Sequence, residues 1–254
     1  MHSSLGIALI SMACLSGGIL LGAILRVFLP EHHLLDDSKD VVKTAAGLIL
    51  TLAALVLGLL VSSAKGSFDT MSSGITQAGA KIISLDRVLA RYGPEAKEVR
   101  DVLRHEVSAT MERVWPSENA RMRDLSTAEE IHGIEDVHMK IRELSPQNEL
   151  QRSSQSQALQ ISSDLQDSRW LLIEETQGTF PTALIAILIF WLTVLYVSFG
   201  LFAPRNATVI TALFICAVSI AGSIFLIQEL NRPVEGFIKV SGAPLQKALD
   251  VIGK

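Results

Sequence analysis

Apolar residues gather in four blocks, at residues 5–25, 44–64, 182–203 and 207–228, and no charged side chain interrupts any of them. The hydrocarbon core of a bilayer takes about 20 residues of helix to cross, so each block is long enough to cross once. Lipid offers the backbone no hydrogen-bonding partner, which makes these segments helices. Between the second and third blocks the pattern changes. Phe68, Met71, Ile75, Ala78, Ile82, Leu85, Leu89 and Tyr92 recur at spacings of three and four, the seam of a coiled coil in phase with the preceding membrane helix.

That seam predicts one helix running on from the second block until Gly93, a left-handed stop, with Pro94 suited to the first turn of the next helix. Val99, Leu103, Val107 and Val114 mark the apolar side of that second helix, which Trp115-Pro116 ends. Ser126 with Glu129 makes a capping-box start for a shorter helix to about Leu144. Ser145-Pro146 then restarts a long helix with apolar positions Leu150, Ala158, Ile161, Leu165 and Leu172. Such stripes need partners, so the helices are expected to bundle with each other or with neighbouring subunits. The expected fold class is an all-α membrane protein: four transmembrane helices with a cytoplasmic helical stalk between helices 2 and 3. The divisions are 1–66 (helices 1 and 2), 67–178 (stalk), 179–230 (helices 3 and 4) and 231–254, a tail whose residues 245–252 form a short amphipathic helix.

Composition agrees: 49% of the 254 residues are hydrophobic and only 19% charged, too apolar for an ordinary soluble domain. A net charge of -4 gives no reason to expect nucleic acid as a partner. Cys14 and Cys216 both lie inside spans, so a disulfide framework is not expected. Residues 1–4 carry no Lys or Arg, so the first block is read as a retained helix rather than a signal sequence. Basic residues near the membrane favour the termini and the stalk over the short loops 26–43 and 204–206, which places the termini and central region in the cytoplasm. The expected location is the cell inner membrane, crossed several times.

The second span carries the most suggestive pattern. Thr44, Gly47, Thr51, Ala54, Gly58, Ser62 and Lys65 share one face, and the opposite side is nearly all Leu, Ile and Val. Small residues and hydroxyls on one face suit close helix packing in a membrane. The same face also suits a weakly polar pore lining repeated around an oligomer axis, with Lys43 and Lys65 placing positive charge at its mouths. Asn206 is placed as an N-cap of the fourth span, while Arg205 guards a pore entrance or meets lipid headgroups. Cys14, Gly18 and Gly22 in the first span, and Ala212, Ser219 and Ser223 in the fourth, form packing ridges. Trp191 lies too deep for an interfacial belt, which points to a protein contact.

Enzyme chemistry finds little support, and no catalytic residue is assigned. His32-His33 beside Asp36 and Asp37 lacks the spacing of a helical zinc pair. His132, Glu135, Asp136 and His138 read as a solvated helix surface. No glycine-rich phosphate loop is present, and no metal or other cofactor is expected.

The stretch from Ser198 to Thr208, SFGLFAPRNAT, resembles the central signature of the bestrophin-like domain family. The tail is similar too: Glu229-Leu230-Asn231, Pro233, Gly236, Ile238, Val240-Ser241, Pro244-Leu245 and Ala248-Leu249. Upstream, residues 57–60 and 92–96 fit, whereas Asn231 and Val234 depart from the acidic and aromatic residues common there. The resemblance covers roughly residues 44–252 and implies four membrane helices with a cytoplasmic helical region. By analogy it implies kinship to pentameric anion channels whose pore is lined by the second membrane helix. No counterpart of the bestrophins' acidic calcium-binding cluster is mapped here. The resulting expectation is a homo-oligomeric channel, pentameric by analogy, with membrane lipids and inorganic anions as partners. The alternative is a non-conducting oligomeric scaffold or signalling protein whose helical stalk binds a partner.

Overall fold

The structure, a computed structural model, describes residues 2–30, 36–115, 133–177, 182–204, 206–233 and 236–253. Among these, helix is the only regular secondary structure: α1 (His2–Phe28), α2 (Asp36–Tyr92), α3 (Lys97–Val114), α4 (Ile134–Glu143), α5 (Glu149–Gln177), α6 (Thr182–Phe202), α7 (Ala207–Leu230) and α8 (Ala243–Val251). Four of them, α1, α2, α6 and α7, are long and apolar enough to cross a membrane. The chain divides into two compact units. Unit 1 comprises Met1–Phe68 with Thr179–Ile238, and unit 2 comprises Asp69–Gly178 with Lys239–Lys254. Helix α2 contributes its first half to unit 1 and its second half to unit 2.

Unit 1 is built where the chain carries small residues. Helix α1 packs along α6, and a Cβ placed on Gly22 would lie 2.1 Å from the Val197 carbonyl oxygen. One on Gly200 would lie 2.2 Å from that of Ile19. Only glycine lets the two backbones come this close, the small-residue device of membrane helices. Leu15, Ala53, Leu60, Ala64, Leu188, Leu195, Ala217 and Ile224 share the core, with Trp191 partly buried against it. Tyr196 is buried and its hydroxyl donates to the Leu213 carbonyl at 3.3 Å. In α7 the structure corrects the expected ridge. Ala212 and Ser219 are exposed, and the packed face is Ala217, Ala221, Ile224 and Ile227. Alanines four apart do the same steric work on a different side of the helix, and the neighbours select that side.

Many large apolar side chains of unit 1 point away from the chain, among them Leu20, Leu48, Leu55 and Phe190, each more than 60% exposed. Apolar surroundings stabilise that surface where water would not. At the end of α7, Glu229 is buried and its carboxylate accepts the backbone N–H of Phe237, holding the turn that follows the span.

Unit 2 buries the seam of α2. Met71, Ile75, Ile82, Leu85, Leu89 and Tyr92 are all buried, so this stripe finds its partners within the chain. Gly93, at φ 127°, occupies a backbone region that L side chains rarely adopt, and Pro94 opens a 3-10 turn, Pro94–Ala96, that leads into α3. Val99, Leu103 and Val107 of α3 are buried as expected. Between these helices Arg100 grips Asp86 through two hydrogen bonds of 2.7 and 3.0 Å. That bonding raises the guanidinium above its ordinary pKa and keeps it charged. The Gly253 N–H reaches the same carboxylate at 3.3 Å, and Trp115 donates to the Val240 carbonyl at 2.9 Å. These bonds dock the tail, where Leu245 and Ala248 of α8 are buried.

Three expectations for this unit change. Helix α5 begins at Glu149 rather than at Ser145-Pro146, because Asn148 Oδ1 accepts the Gln151 N–H at 2.8 Å and caps it. Leu150 is exposed, and the inner face of α5 joins the expected Ala158 and Leu165 to Gln151, Ser154 and Ser162. Polar members are tolerated there because they bond to protein groups: Gln151 donates to the Tyr92 carbonyl and Ser162 to that of Leu159. His138 is no solvated surface group, since its Nδ1 lies 2.7 Å from Ser162 Oγ. The capping pair Ser126 and Glu129, together with Pro116, His32, His33 and His132, lies outside the described residues.

The α1–α6 contact makes a sharp prediction. Gly22→Ala should destabilise the protein by about 1–3 kcal/mol, the usual cost of overpacking. Gly17→Ala, whose Cβ meets nothing within 4 Å, should not destabilise the protein and should shift its thermal transition in detergent by no more than the helix-propensity difference, about 1 kcal/mol. Equal effects at the two positions would contradict the packing described.

Candidate functional site

A helix turns 100° per residue, which sets the faces of the α2 span. Its packed residues, Ala53, Leu60 and Ala64, share one side. The stripe of Thr44, Gly47, Thr51, Ala54, Gly58, Ser62 and Lys65 lies roughly opposite, and all seven are exposed. Added Cβ atoms on Gly47 and Gly58 meet nothing within 4 Å. These glycines therefore do not serve a helix contact among the described residues, in contrast to Gly22 and Gly200. Of the four spans α2 is the least covered, with 11% of its most apolar window buried against 22–28% in the others. An edge of exposed leucines, Leu48, Leu52, Leu55 and Leu59, borders the stripe and was not singled out from the sequence. Its signal was available as a run at spacings of three and four.

The local chemistry of the stripe is mild. Thr44 Oγ1 donates to the Asp40 carbonyl at 2.8 Å, and Thr51 Oγ1 to the Gly47 carbonyl at 2.9 Å. A hydroxyl whose hydrogen is engaged this way turns only acceptor lone pairs outward. Water or a cation meets such an oxygen directly, whereas an anion requires the hydroxyl to rotate. Any preference for anions therefore has to come from the flanking lysines. Lys43 is exposed at one end. At the other, Lys65 is exposed and its Nζ lies 6.0 Å from the centre of the Phe68 ring, a weak cation–π arrangement.

Asn206 is exposed and caps α7, its side chain accepting the Val209 N–H at 2.9 Å. Arg205 lies outside the described residues. No group of three or more His, Cys, Asp or Glu side chains converges as a metal site among the described residues.

A family model described as the Bestrophin-like domain matches residues 13–245, most of the chain. No curated protein and no solved structure matches the chain.

Because Gly47 and Gly58 face open space, Gly47→Ala and Gly58→Ala should leave the fold intact. Thermal unfolding should shift by no more than about 1 kcal/mol, the helix-propensity difference between the two residues. A loss of folded protein comparable to that of Gly22→Ala would place another helix against this face.

Proposed function

The chain belongs to the bestrophin-like domain family, and from that premise we propose that it is an oligomeric ion channel, anion-conducting, with α2 lining the pore. The observation that carries this reading is the uncovered stripe. Six small or hydroxylated positions, followed by a lysine, stand opposite the packed face of the least buried span. Several copies arranged about an axis would bring these stripes together, and the leucine edge beside each stripe would seal it against lipid or the next copy. The span carries no carboxylate or histidine along this face, which favours passive conduction over proton-coupled transport. Lys43 and Lys65 set positive rings at the two ends, with Asn206 and Arg205 near an entrance. The proposed location is the inner membrane, with the termini and unit 2 in the cytoplasm.

The rival reading, a scaffold whose stalk binds a partner, rests on an apolar seam in need of cover. That seam, Met71 to Tyr92, is buried within unit 2, which removes the main reason for it.

Purified protein in planar bilayers with a chloride gradient should show unitary currents. A folded oligomer that stays electrically silent across voltage would refute conduction. Lys65→Glu should move the reversal potential toward cations, and an unchanged reversal potential would take Lys65 out of the pathway.

A further inference from the structure

We propose that a groove between α1, α6 and α7 is a binding site for an anionic phospholipid, with an acyl chain in the groove and the phosphate at Arg26. The groove encloses about 570 Å³, within the range of ligand sites, and all its lining residues are apolar. Gly200 is buried and Ala23, Ala203, Ile19, Val209 and Leu213 are half-buried at its base, while Ile24, Phe28 and Ile210 stand exposed as its walls. The groove opens beside the close α1–α6 contact and shares Ile19 and Gly200 with it. Where α1 meets α6, small residues face backbone on both sides, as membrane helix pairs require. Here exposed bulky side chains stand around a half-buried apolar base, a channel that suits a flexible chain better than a second helix.

Its position supplies the headgroup. The groove lies at the last turns of α1 and α6 and the first turns of α7, where these spans leave the hydrocarbon. There Arg26 Nη1 donates to the carbonyl of Ala203, itself part of the base, at 3.1 Å. That bond holds an exposed guanidinium at the rim. The same end presents the N-terminus of α7, whose dipole adds attraction for a negative group. A guanidinium pairs with a phosphate through parallel N–H bonds, and a zwitterionic headgroup gains less because it carries its own cation.

The test uses full-length protein in phosphatidylcholine vesicles containing a minor fraction of phosphatidylglycerol, with bromine on the acyl chains of one lipid or the other. Ile24→Trp places a fluorophore on an exposed wall of the groove, read against the unsubstituted chain. Brominated phosphatidylglycerol should quench it beyond its share of the bilayer, and brominated phosphatidylcholine should not. Arg26→Gln should lower that enrichment about fivefold, the effect of one basic residue at a membrane surface. Ala23→Phe should abolish it by filling the base, and Leu213→Phe does so from the α7 side if Ala23→Phe fails to fold. Quenching in proportion to lipid fraction, enrichment that ignores Arg26→Gln, or a second protein copy cross-linked into the groove would each overturn the proposal.

Discussion

Inside hydrocarbon a backbone N–H or C=O finds no partner but another backbone group, and this constraint governs all of unit 1. It fixes four spans as helices and leaves only their side-chain faces free to differ. Apolar attraction cannot then choose which faces meet, because lipid is as apolar as leucine. Shape decides instead. Gly22 and Gly200 let α1 and α6 touch backbone to backbone, Ala217 and Ala221 give α7 a flat side, and Ala53 and Ala64 give α2 its packed face. Once these surfaces are paired, the threonine–glycine–serine side of α2 has no helix packed on it among the described residues.

Unit 2 follows different rules, because α3, α4 and α5 carry charged residues along their lengths, the pattern of helices in water. Fully burying a leucine such as Leu85, Leu89 or Leu103 contributes about 1.5–3 kcal/mol there, which favours covering the α2 seam within the chain. Helices α3, α5 and α8 all reach this half of α2: Arg100 bonds Asp86, Ser168 bonds Lys81, and Pro244 lies against Gly79. The Asp86–Arg100 pair sits at the edge of that core and also receives the Gly253 N–H. Removing Arg100 would leave the buried Asp86 carboxylate without its charge partner, which destabilises this unit.

Much of this was legible in the residues, and the parts that were not share a cause. Block length alone located the spans, and the three-four spacing of Met71 to Tyr92 located the continuation of α2. Asn206 read as a cap because a short polar side chain preceded an apolar run, and it caps α7. The inner face of α5 was found only in part, because a search for apolar periodicity picks out Ala158 and Leu165 and passes over Gln151, Ser154 and Ser162. These are buried in a core whose other walls come from distant parts of the chain, as the Gln151 bond to the Tyr92 carbonyl illustrates. Small residues occur on more than one side of α7, and spacing alone does not say which side a neighbour uses. For the α2 stripe, the positions were evident from spacing, but their lack of cover emerged only from the packing of the other three spans. The proposed reading turns it toward an axis shared by several copies.

The most direct test of that point is the three-dimensional image of the purified particle in a lipid nanodisc. The account predicts a closed ring of several copies in which Thr51 and Ser62 of each copy face a common axis with open space along it. A single-copy particle, or a ring in which the stripe is sealed against a neighbour's helices and no axial opening remains, would contradict it.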